Sequence, residues 1–252
     1  MENLKRKLQE NKLTIGSWIT MGHLSIVEIM AKAGYEWLTV DMEHSAISID
    51  QAQNLILAIE ATGCFPLVRV GENNPNIIKR VMDTGARGVI VPMVNTKEDA
   101  IAAVGAVNYP SLGTRGVGLA RAQGYGFEFD KYKDWLKKEC VVIVQIEHIR
   151  AIENLEEILS VPGVDGSIIG PYDLSGSLGY PGEFEREEVK QALEYYEAVC
   201  SRMKKPLGFH VVQPDANAAL AYIHKGYNFL AVGVDMLYLG KKCQEVMTAI
   251  KK

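Results

Sequence analysis

Val141-Val142-Ile143-Val144-Gln145-Ile146-Glu147 is an apolar run that ends in an amide and a carboxylate. If the run is a buried strand, its side chains alternate between two faces, so Gln145 and Glu147 lie on the same face. Both fall at the carboxyl end of the strand, which is where α/β barrels place their chemistry. A second carboxylate, Asp173, follows the next predicted strand. Two acids at neighbouring strand ends indicate a site for a hard divalent cation.

Length and composition are those of an ordinary globular protein. The chain has 252 residues, 48% hydrophobic and 23% charged, with a net charge of −4, and a barrel of this kind needs about 250 residues. The dispersed lysines form no basic stripe, which argues against nucleic acid as a partner. The N-terminus has no apolar leader, and no apolar run approaches the roughly 18 residues of a membrane span. We therefore expect a soluble, cytoplasmic protein.

Four cysteines lie far apart without a CxxC pair, so the sequence predicts neither a zinc site nor a disulfide framework. We expect them to be buried free thiols. They are Cys64, Cys140, Cys200 and Cys243.

Short apolar runs alternate with longer amphipathic segments along the whole chain. The predicted strands cover residues 13–19, 37–40, 66–70, 88–92, 141–147, 164–169, 207–210 and 229–232. The predicted helices cover residues 25–32, 50–61, 75–84, 96–107, 129–138, 151–159, 187–204 and 215–225, and a last one begins at 235. Ser25 is the expected cap of the first helix, Ser48 or Asp50 of the second and Asn74 of the third. Strands that are apolar on both faces are typical of a parallel sheet.

Eight such units predict a single-domain α/β protein, a (β/α)8 barrel over residues 1–252. Two features depart from the simple alternation. The connection 108–140 is long and contains one short predicted helix, so we expect a lid or a substrate loop there. A C-terminal helix is predicted over 235–252.

In such a barrel, six polar residues converge on the carboxyl rim: Asp41, His44, Arg69, Gln145, Glu147 and Asp173. Glu147 and Asp173 are candidate ligands of Mg²⁺ or Mn²⁺, with a pair of ordinary rim acids as the alternative. His44 is the candidate for proton transfer, because an imidazole titrates near neutral pH, and Asp41 can orient it.

Arg69 ends a buried strand, where a guanidinium needs an anion or a developing negative charge. A structural salt bridge to Asp41 or Glu43 is the alternative. Asp83 lies near the end of its helix, where a surface acid is the commoner explanation.

Taken together, several motifs resemble the HpcH/HpaI family of class II pyruvate aldolases over nearly the whole chain. They are Gly16-Ser-Trp18, Asp41-Met-Glu-His44, Pro66-Leu-Val-Arg69, Val91-Pro-Met-Val94, Gly113-Thr-Arg-Gly-Val-Gly118, Gln145-Ile-Glu147, Gly170-Pro-Tyr-Asp173-Leu-Ser and Ala231-Val-Gly-Val-Asp235. The resemblance implies a barrel of the phosphoenolpyruvate/pyruvate-domain type. It implies a metal-dependent lyase that cleaves a 2-keto-3-deoxy or 4-hydroxy-2-keto acid to pyruvate and an aldehyde.

The resemblance also implies roles for individual residues. Glu147 and Asp173 would hold Mg²⁺ or Mn²⁺, with Co²⁺ or Zn²⁺ as further options, and Gln145 would contact the substrate. The pyruvate carboxylate would bind the backbone N–H groups of Tyr172 and Asp173, beside Gly170. Arg69 would stabilise the enolate oxygen. His44 would act as base, with Asp83 raising its basicity. A homohexamer built as a trimer of dimers, with its last helix exchanged between subunits, is implied as well.

Three features depart from the family pattern and concern the aldehyde side. Tyr172 stands where the family commonly has a small residue, His210 at the end of the seventh strand is unfamiliar, and the loop after Gly118 is about one residue shorter and richer in glycine. A backbone N–H can still bind the carboxylate beside Tyr172.

Other functions fit the sequence less well. A Schiff-base aldolase needs a lysine at a strand's carboxyl end, and no lysine is predicted there. A phosphosugar enzyme needs a glycine-rich phosphate cradle after the seventh and eighth strands. An acyl-CoA lyase of the citrate lyase β type and a non-catalytic ligand-binding barrel remain as alternatives.

Overall fold

A computed structural model describes residues 3–251, in which eight parallel strands form one closed barrel. The strands are β1 (Thr14–Ile19), β2 (Trp37–Asp41), β3 (Phe65–Arg69), β4 (Gly88–Val91), β5 (Val141–Ile146), β6 (Gly166–Ile169), β7 (Gly208–Val211) and β8 (Phe229–Val234). Each strand pairs with the next along the chain, and β8 pairs with β1. The predicted (β/α)8 barrel is confirmed.

Helices surround the barrel and alternate with its strands. They are α1 (Leu4–Gln9), α2 (Leu24–Lys32), α3 (Ile49–Ala61), α4 (Pro75–Asp83), α5 (Lys97–Val107), α6 (Phe129–Glu139), α7 (Ile149–Glu153), α8 (Leu155–Leu159), α9 (Pro171–Ser177), α10 (Glu187–Met203), α11 (Ala216–His224) and α12 (Asp235–Ile250). A 3₁₀ segment covers Arg121–Gly126. None of the helices within residues 3–251 has the length and apolar character needed to span a membrane. The predicted domain limits at 1 and 252, and the predicted end of the last helix at 252, lie outside the described residues.

Alternation along the strands separates the barrel interior from the layer under the helices. On β5, Val141 and Ile143 belong to the interior cluster, whereas Val142 and Val144 pack in the cluster that includes the helices. Trp37 stacks on Phe229 inside the barrel, with ring centroids 4.5 Å apart. The interior is therefore filled by apolar side chains, which leaves the polar inward positions at the carboxyl ends of the strands.

Helix α1, which the sequence analysis did not predict, closes the amino end of the barrel. The Asn3 side chain caps it by accepting a hydrogen bond from the Arg6 N–H at 3.0 Å. Leu4 and Leu8 are buried in the interior cluster with Phe65 and Phe229. The four-residue spacing of these leucines after a capping asparagine is the signal that would have revealed the helix.

Several local predictions were wrong. His23, and not Ser25, caps α2, through its Nδ1 atom, which accepts from the Ser25 N–H at 3.2 Å. The helix predicted over 151–159 is two helices, α7 and α8, which meet at Asn154. Cys243 is exposed on α12, whereas the other three thiols are buried as expected.

The long connection 108–140 is anchored by a buried arginine. The Arg115 side chain is fully buried, donates to the Tyr132 hydroxyl at 2.8 Å and to Asp83 Oδ1 at 2.5 Å, and lies over the Tyr109 ring at 4.8 Å. These contacts tie the connection to α4 and hold its own helix, α6, against Arg115. Its use as a lid or substrate loop stays a prediction.

Candidate active site

The candidate site lies at the carboxyl rim, where Gln145 and Glu147 continue the inward alternation of β5. Both side chains are buried, at 4% and 3% exposure. The Gln145 Nε2 group donates a hydrogen bond to Glu147 Oε2. The two side chains therefore lie on one face, as the sequence predicted, and they contact each other directly.

Glu147 is positioned by the backbone around it. Its Oε1 accepts a hydrogen bond from the Met93 N–H at 2.6 Å. Met93 adopts φ +52°, a left-handed conformation that non-glycine residues seldom take. A strained backbone at this position therefore directs a donor at the carboxylate.

Burial raises the pKa of Glu147 to about 7, and the nearby carboxylates of Glu43 and Asp173 contribute in the same direction. The hydrogen bonds from Met93 and Gln145 oppose this rise without cancelling it. Ionisation of Glu147 is therefore opposed both by its burial and by the charge of its neighbours.

Arg69 and Asp41 form a two-pronged ion pair because β2 and β3 place them side by side in register. Arg69 Nε lies 2.9 Å from Asp41 Oδ1, and Nη2 lies 2.7 Å from Oδ2. Burial works to raise the pKa of Asp41, but the hydrogen bonds and charge of Arg69 outweigh it, so this pKa falls below its ordinary value. The salt bridge considered as an alternative for Arg69 is therefore present.

Two further contacts fix the guanidinium of Arg69. Its Nη1 lies 3.2 Å from Glu43 Oε2, and its central carbon lies 4.5 Å above the Trp18 ring. Burial raises the pKa of Glu43 to about 7 against the opposing charge of Arg69, and Asp41 and Asp173 raise it further. Arg69 is thus held between an ionised aspartate and a carboxyl group that is harder to ionise.

His44 lies at the mouth of the site with 65% of its side chain exposed. Its backbone N–H donates to Asp41 Oδ1 at 3.3 Å, and its Nε2 lies 3.9 Å from Glu43 Oε2. Asp41 therefore contacts the backbone of His44, while the carboxylate nearest the imidazole is Glu43.

Asp83 lies apart from the other candidates. It ends α4, and its carboxylate pairs with Arg115 at 2.5 Å. It is not among the residues that line the rim cavity. Within residues 3–251, the structure does not bring Asp83 together with His44.

Gly170, Tyr172 and Asp173 enter the site at the start of α9. Pro171 occupies the first helical position, so the N–H groups of the first turn have no acceptor inside the helix. Tyr172 is 48% exposed and packs edge-on against Phe184, with ring centroids 5.0 Å apart. The helix start thus presents backbone donors, one carboxylate and one aromatic ring.

The rim encloses a cavity of about 390 Å³. Its lining includes Trp18, Asp41, His44, Arg69, Gln145, Gly170, Tyr172, Asp173 and His210. Five of the six residues predicted to converge on the rim line one cavity, and the sixth, Glu147, accepts a hydrogen bond from Gln145 of this lining.

The donor set fits a divalent cation that keeps several coordination positions for water or substrate. Within residues 3–251, no group of three or more His, Cys, Asp or Glu side chains is arranged to hold a metal ion, which leaves two carboxylates, Glu147 and Asp173. Mg²⁺ and Mn²⁺ are often bound by one or two carboxylates. The buried Oε1 atom of Gln145 has no hydrogen-bond partner in the described chain, which leaves one further oxygen beside them.

Trp18 and Met93 were given no role from the sequence, and Glu43 was considered only as a salt-bridge partner of Arg69. Trp18 and Glu43 fall on the inward alternation of β1 and of the segment after β2, so strand periodicity was a usable signal for both. Nothing in the sequence indicated the Met93 N–H, because its position depends on a left-handed turn.

Comparisons with known proteins agree with this geometry. The sequence profile described as HpcH/HpaI aldolase/citrate lyase matches residues 14–240. The chain is 36% identical over 245 residues to 2-dehydro-3,6-dideoxy-6-sulfogluconate aldolase of Pseudomonas putida, covering 97% of this chain and 95% of that one. It is 40% identical over 238 residues to 2-keto-3-deoxy-L-rhamnonate aldolase of Klebsiella pneumoniae, covering 93% and 88%.

Solved structures show the same likeness. A HpcH/HpaI aldolase/citrate lyase family protein from Burkholderia cenocepacia has a TM-score of 0.93 and 32% identity, covering 100% of both chains. A HpcH/HpaI aldolase from Desulfitobacterium hafniense has a TM-score of 0.91 and 29% identity, covering 100% of this chain and 98% of that one.

Proposed function

This chain belongs to the HpcH/HpaI aldolase/citrate lyase family, and we propose that it cleaves a 4-hydroxy-2-keto acid, such as a 2-keto-3-deoxy sugar acid, to pyruvate and an aldehyde. The reverse reaction is aldol addition of pyruvate to the aldehyde. The observation that carries the proposal is the placement of Arg69, His44 and Asp173 around a single rim cavity, with Glu147 hydrogen-bonded to Gln145 of its lining. The guanidinium, and a cation held by the two carboxylates, would stabilise the negative charge that develops when the carbon–carbon bond breaks.

The proposed cofactor is a divalent cation, Mg²⁺ or Mn²⁺, with Co²⁺ or Zn²⁺ as alternatives. Glu147 and Asp173 would hold it, which is supported by their mutual repulsion and by the unpaired oxygen of Gln145. When bound, the metal supplies a Lewis acid that polarises the keto group of the substrate.

The chain's own residues would bind the keto acid half of the substrate. The backbone N–H groups of Tyr172 and Asp173, at the first turn of α9, would receive the carboxylate. Gln145 would contact the substrate, and the absence of a side chain at Gly170 leaves room for the Gln145 side chain. Arg69 would stabilise the enolate oxygen, because the guanidinium is already fixed by Asp41 and does not need to reorganise.

His44 would move the proton. In cleavage it takes the proton of the C4 hydroxyl, the C3–C4 bond breaks, and the bonding electron pair goes to C3 as C4 becomes the aldehyde carbonyl. His44 would then return this proton to C3 of the enolate, which gives pyruvate and restores the neutral imidazole. The proposed contribution of Asp83 to the basicity of His44 has no supporting contact within residues 3–251, where Asp83 pairs with Arg115.

Chelation tests the metal-dependent reaction. In a coupled pyruvate-release assay over 2-keto-3-deoxy and 4-hydroxy-2-keto acids, chelator should abolish turnover, and Mn²⁺ or Mg²⁺ should restore it. Glu147→Gln should remove the restoration, whereas Glu157→Gln, an exposed acid on α8, should behave as the unaltered protein. Full activity after chelation would overturn the proposal. Cleavage of a CoA thioester without cleavage of any free keto acid would favour an acyl-CoA lyase.

Helix α12 supports the proposed homohexamer. Asp235 is its sole buried residue in the described chain, and several large apolar side chains on it are exposed. They are Met236, Leu239, Val246, Met247 and Ile250. An exposed apolar stripe of this length is typical of a subunit contact, and we propose that α12 packs on a second copy. Elution of the protein as a monomer in size-exclusion chromatography would contradict it.

A further inference from the structure

The carboxylate of Asp235 is buried where β8 ends and α12 begins, and it accepts four hydrogen bonds. Its Oδ2 atom accepts from the Thr20 and Met21 N–H groups, each at 2.8 Å. Its Oδ1 atom accepts from the Thr20 hydroxyl at 2.5 Å and from the Met236 N–H at 2.8 Å. Three of these bonds come from the segment that follows β1. Because hydrogen bonds to a charged acceptor are the stronger ones, Asp235 fixes this segment.

The pairing of β1 with β8 is irregular just before this carboxylate. Trp18 pairs with Val234 only after a shift in register, which gives β8 one more residue than β1. Gly233 adopts φ +67° at this point, and its carbonyl accepts a hydrogen bond from the Ser17 hydroxyl at 3.1 Å. A β-bulge of this kind disrupts the regular hydrogen bonds of the strands and redirects the residues that follow it. The side chain of Asp235 therefore supplies the connection between the two strands where their regular pairing ends.

Trp18 is the residue through which this connection reaches the candidate site. It lies two residues before Thr20, is 1% exposed and lines the rim cavity. The central carbon of Arg69 lies 4.5 Å from the centroid of the Trp18 ring. Asp41 and Glu43 contact the nitrogen atoms at the edge of this guanidinium, whereas the ring covers its face. The ring therefore limits tilting of the guanidinium, which contacts at the edge restrain less.

Resting on the stabilisation of the enolate by Arg69 proposed above, we propose that Asp235 is a positioning residue for this arginine. Asp235 fixes the segment after β1 and with it the Trp18 ring, and the ring holds the face of the Arg69 guanidinium in place. Asp235 is not among the residues that line the rim cavity. It therefore acts on the reaction through Trp18 and not by touching the substrate.

The proposed metal ligands lie on the other side of the barrel. β5, which leads to Glu147, is the fourth strand from β1 in either direction around the barrel. Asp173 belongs to α9, which follows β6. Loss of the Asp235 hydrogen bonds should therefore slow enolate formation without weakening the binding of Mn²⁺. A general loss of structure would lower both.

Deuterium exchange at C3 of pyruvate in D₂O measures enolate formation without any aldehyde. In the full-length, Mn²⁺-loaded protein, Asp235→Asn should lower kcat for this exchange by about 10- to 100-fold, because the amide nitrogen cannot accept and the segment shifts. KM for pyruvate and the Kd for Mn²⁺ should stay within about twofold, since their binding groups are distant.

Asp215→Asn is the matched control. The Asp215 carboxylate also accepts two backbone N–H groups at a helix start, at 2.8 and 3.2 Å, but it is exposed and caps α11. Asparagine is as good a cap as aspartate. This variant should leave kcat, KM and Kd unchanged.

Two further variants test the route of the effect. Thr20→Val keeps the shape of the side chain and removes one donor to Asp235, so kcat for exchange should fall by about threefold even if Asp235→Asn does not fold. In the double variant of Trp18→Phe and Asp235→Asn, the two losses should not multiply, because both act on one ring. Losses that multiply would overturn the action through Trp18.

The remaining outcomes separate this inference from the proposed function. Exchange that both Asp235→Asn and Thr20→Val leave unchanged would overturn the inference alone. A loss of Mn²⁺ binding in parallel with the loss of exchange would also overturn it, because Asp235 would then have a structural role only. Absence of exchange in the unaltered protein would overturn the proposed aldol chemistry, and the inference with it.

Discussion

Gly170→Ala tests the packing of the candidate site with the smallest change the chain allows. Gly170 has φ −95° and ψ 93°, a conformation open to alanine, so the substitution adds no backbone strain. The added Cβ would lie 2.8 Å from Glu147 Oε2, 2.9 Å from Glu147 Cβ and 3.1 Å from Gln145 Nε2. The effect must therefore come from displacement of these two side chains.

The geometry gives the size of the effect. Carbon atoms in contact are separated by about 3.5–4.0 Å, so Glu147 has to move by roughly 0.5–1 Å. A misplacement of about 1 Å in a reacting constellation costs about 100-fold in rate. Overpacking costs about 1–3 kcal/mol of folding stability. In a chain of this length, each kcal/mol lowers Tm by about 2–4 °C.

The assay pairs pyruvate release with Mn²⁺ titration and thermal unfolding. Gly170→Ala should lower kcat/KM by about 10- to 100-fold and weaken Mn²⁺ binding while the protein stays folded. Gly176→Ala is the matched control in the same helix, because its added Cβ would meet only the Pro181 Cβ at 3.8 Å. It should keep full activity and gain up to about 1 kcal/mol in stability. Activity of Gly170→Ala within twofold of the unaltered protein would refute the reasoning.

The remaining predictions concern charge. Arg69→Lys loses the two-pronged pair with Asp41, so kcat should fall by about 100- to 1,000-fold with an unchanged circular dichroism spectrum; a loss below tenfold would contradict it. Glu147 must lose its proton to bind a cation, and its pKa is raised to about 7. The Kd for Mn²⁺, measured by calorimetry, should therefore increase about tenfold for each pH unit between pH 7 and pH 5. A Kd that does not change with pH in that range would exclude Glu147 as a ligand of Mn²⁺. Because the pKa of Glu147 is higher in the folded protein than in the unfolded chain, its protonated form stabilises the fold fully below pH 4.5, and this stabilisation is lost as pH rises through about 7. Tm of the metal-free protein should therefore fall over this pH range, and Glu147→Gln should make that fall smaller.

Much of the architecture could be predicted from the sequence because parallel strands buried on both faces leave a clear signal. Each of the eight observed strands overlaps a predicted apolar run. The positions of Gln145 and Glu147 on one face followed from the period-two alternation of side chains along β5. The helix start at Asn74-Pro75 was equally clear, since the Asn74 side chain accepts from the N–H groups of Asn76 and Ile77 at 2.8 and 3.2 Å. These features depend on neighbours in the sequence, so the sequence alone contains them.

Contacts between distant segments left no such signal. The Met93 N–H donates to Glu147, which is 54 residues away in the sequence. Its direction depends on the left-handed backbone conformation of Met93, which the residue type does not predict. The pairing of Asp83 with Arg115 likewise required the path of the connection 108–140. Arg115 was quoted as part of a motif, yet its burial depends on Tyr109 and Tyr132 folding over it. The positions of such side chains depend on tertiary packing, which cannot be predicted from the periodicity of the sequence.

The division of charge at the rim supports the proposed cation. Arg69 is paired with Asp41 through two hydrogen bonds, which fix the orientation of its guanidinium. The charge of Asp173 contributes to the raised pKa of both Glu43 and Glu147, and a divalent ion held by Glu147 and Asp173 would offset this repulsion.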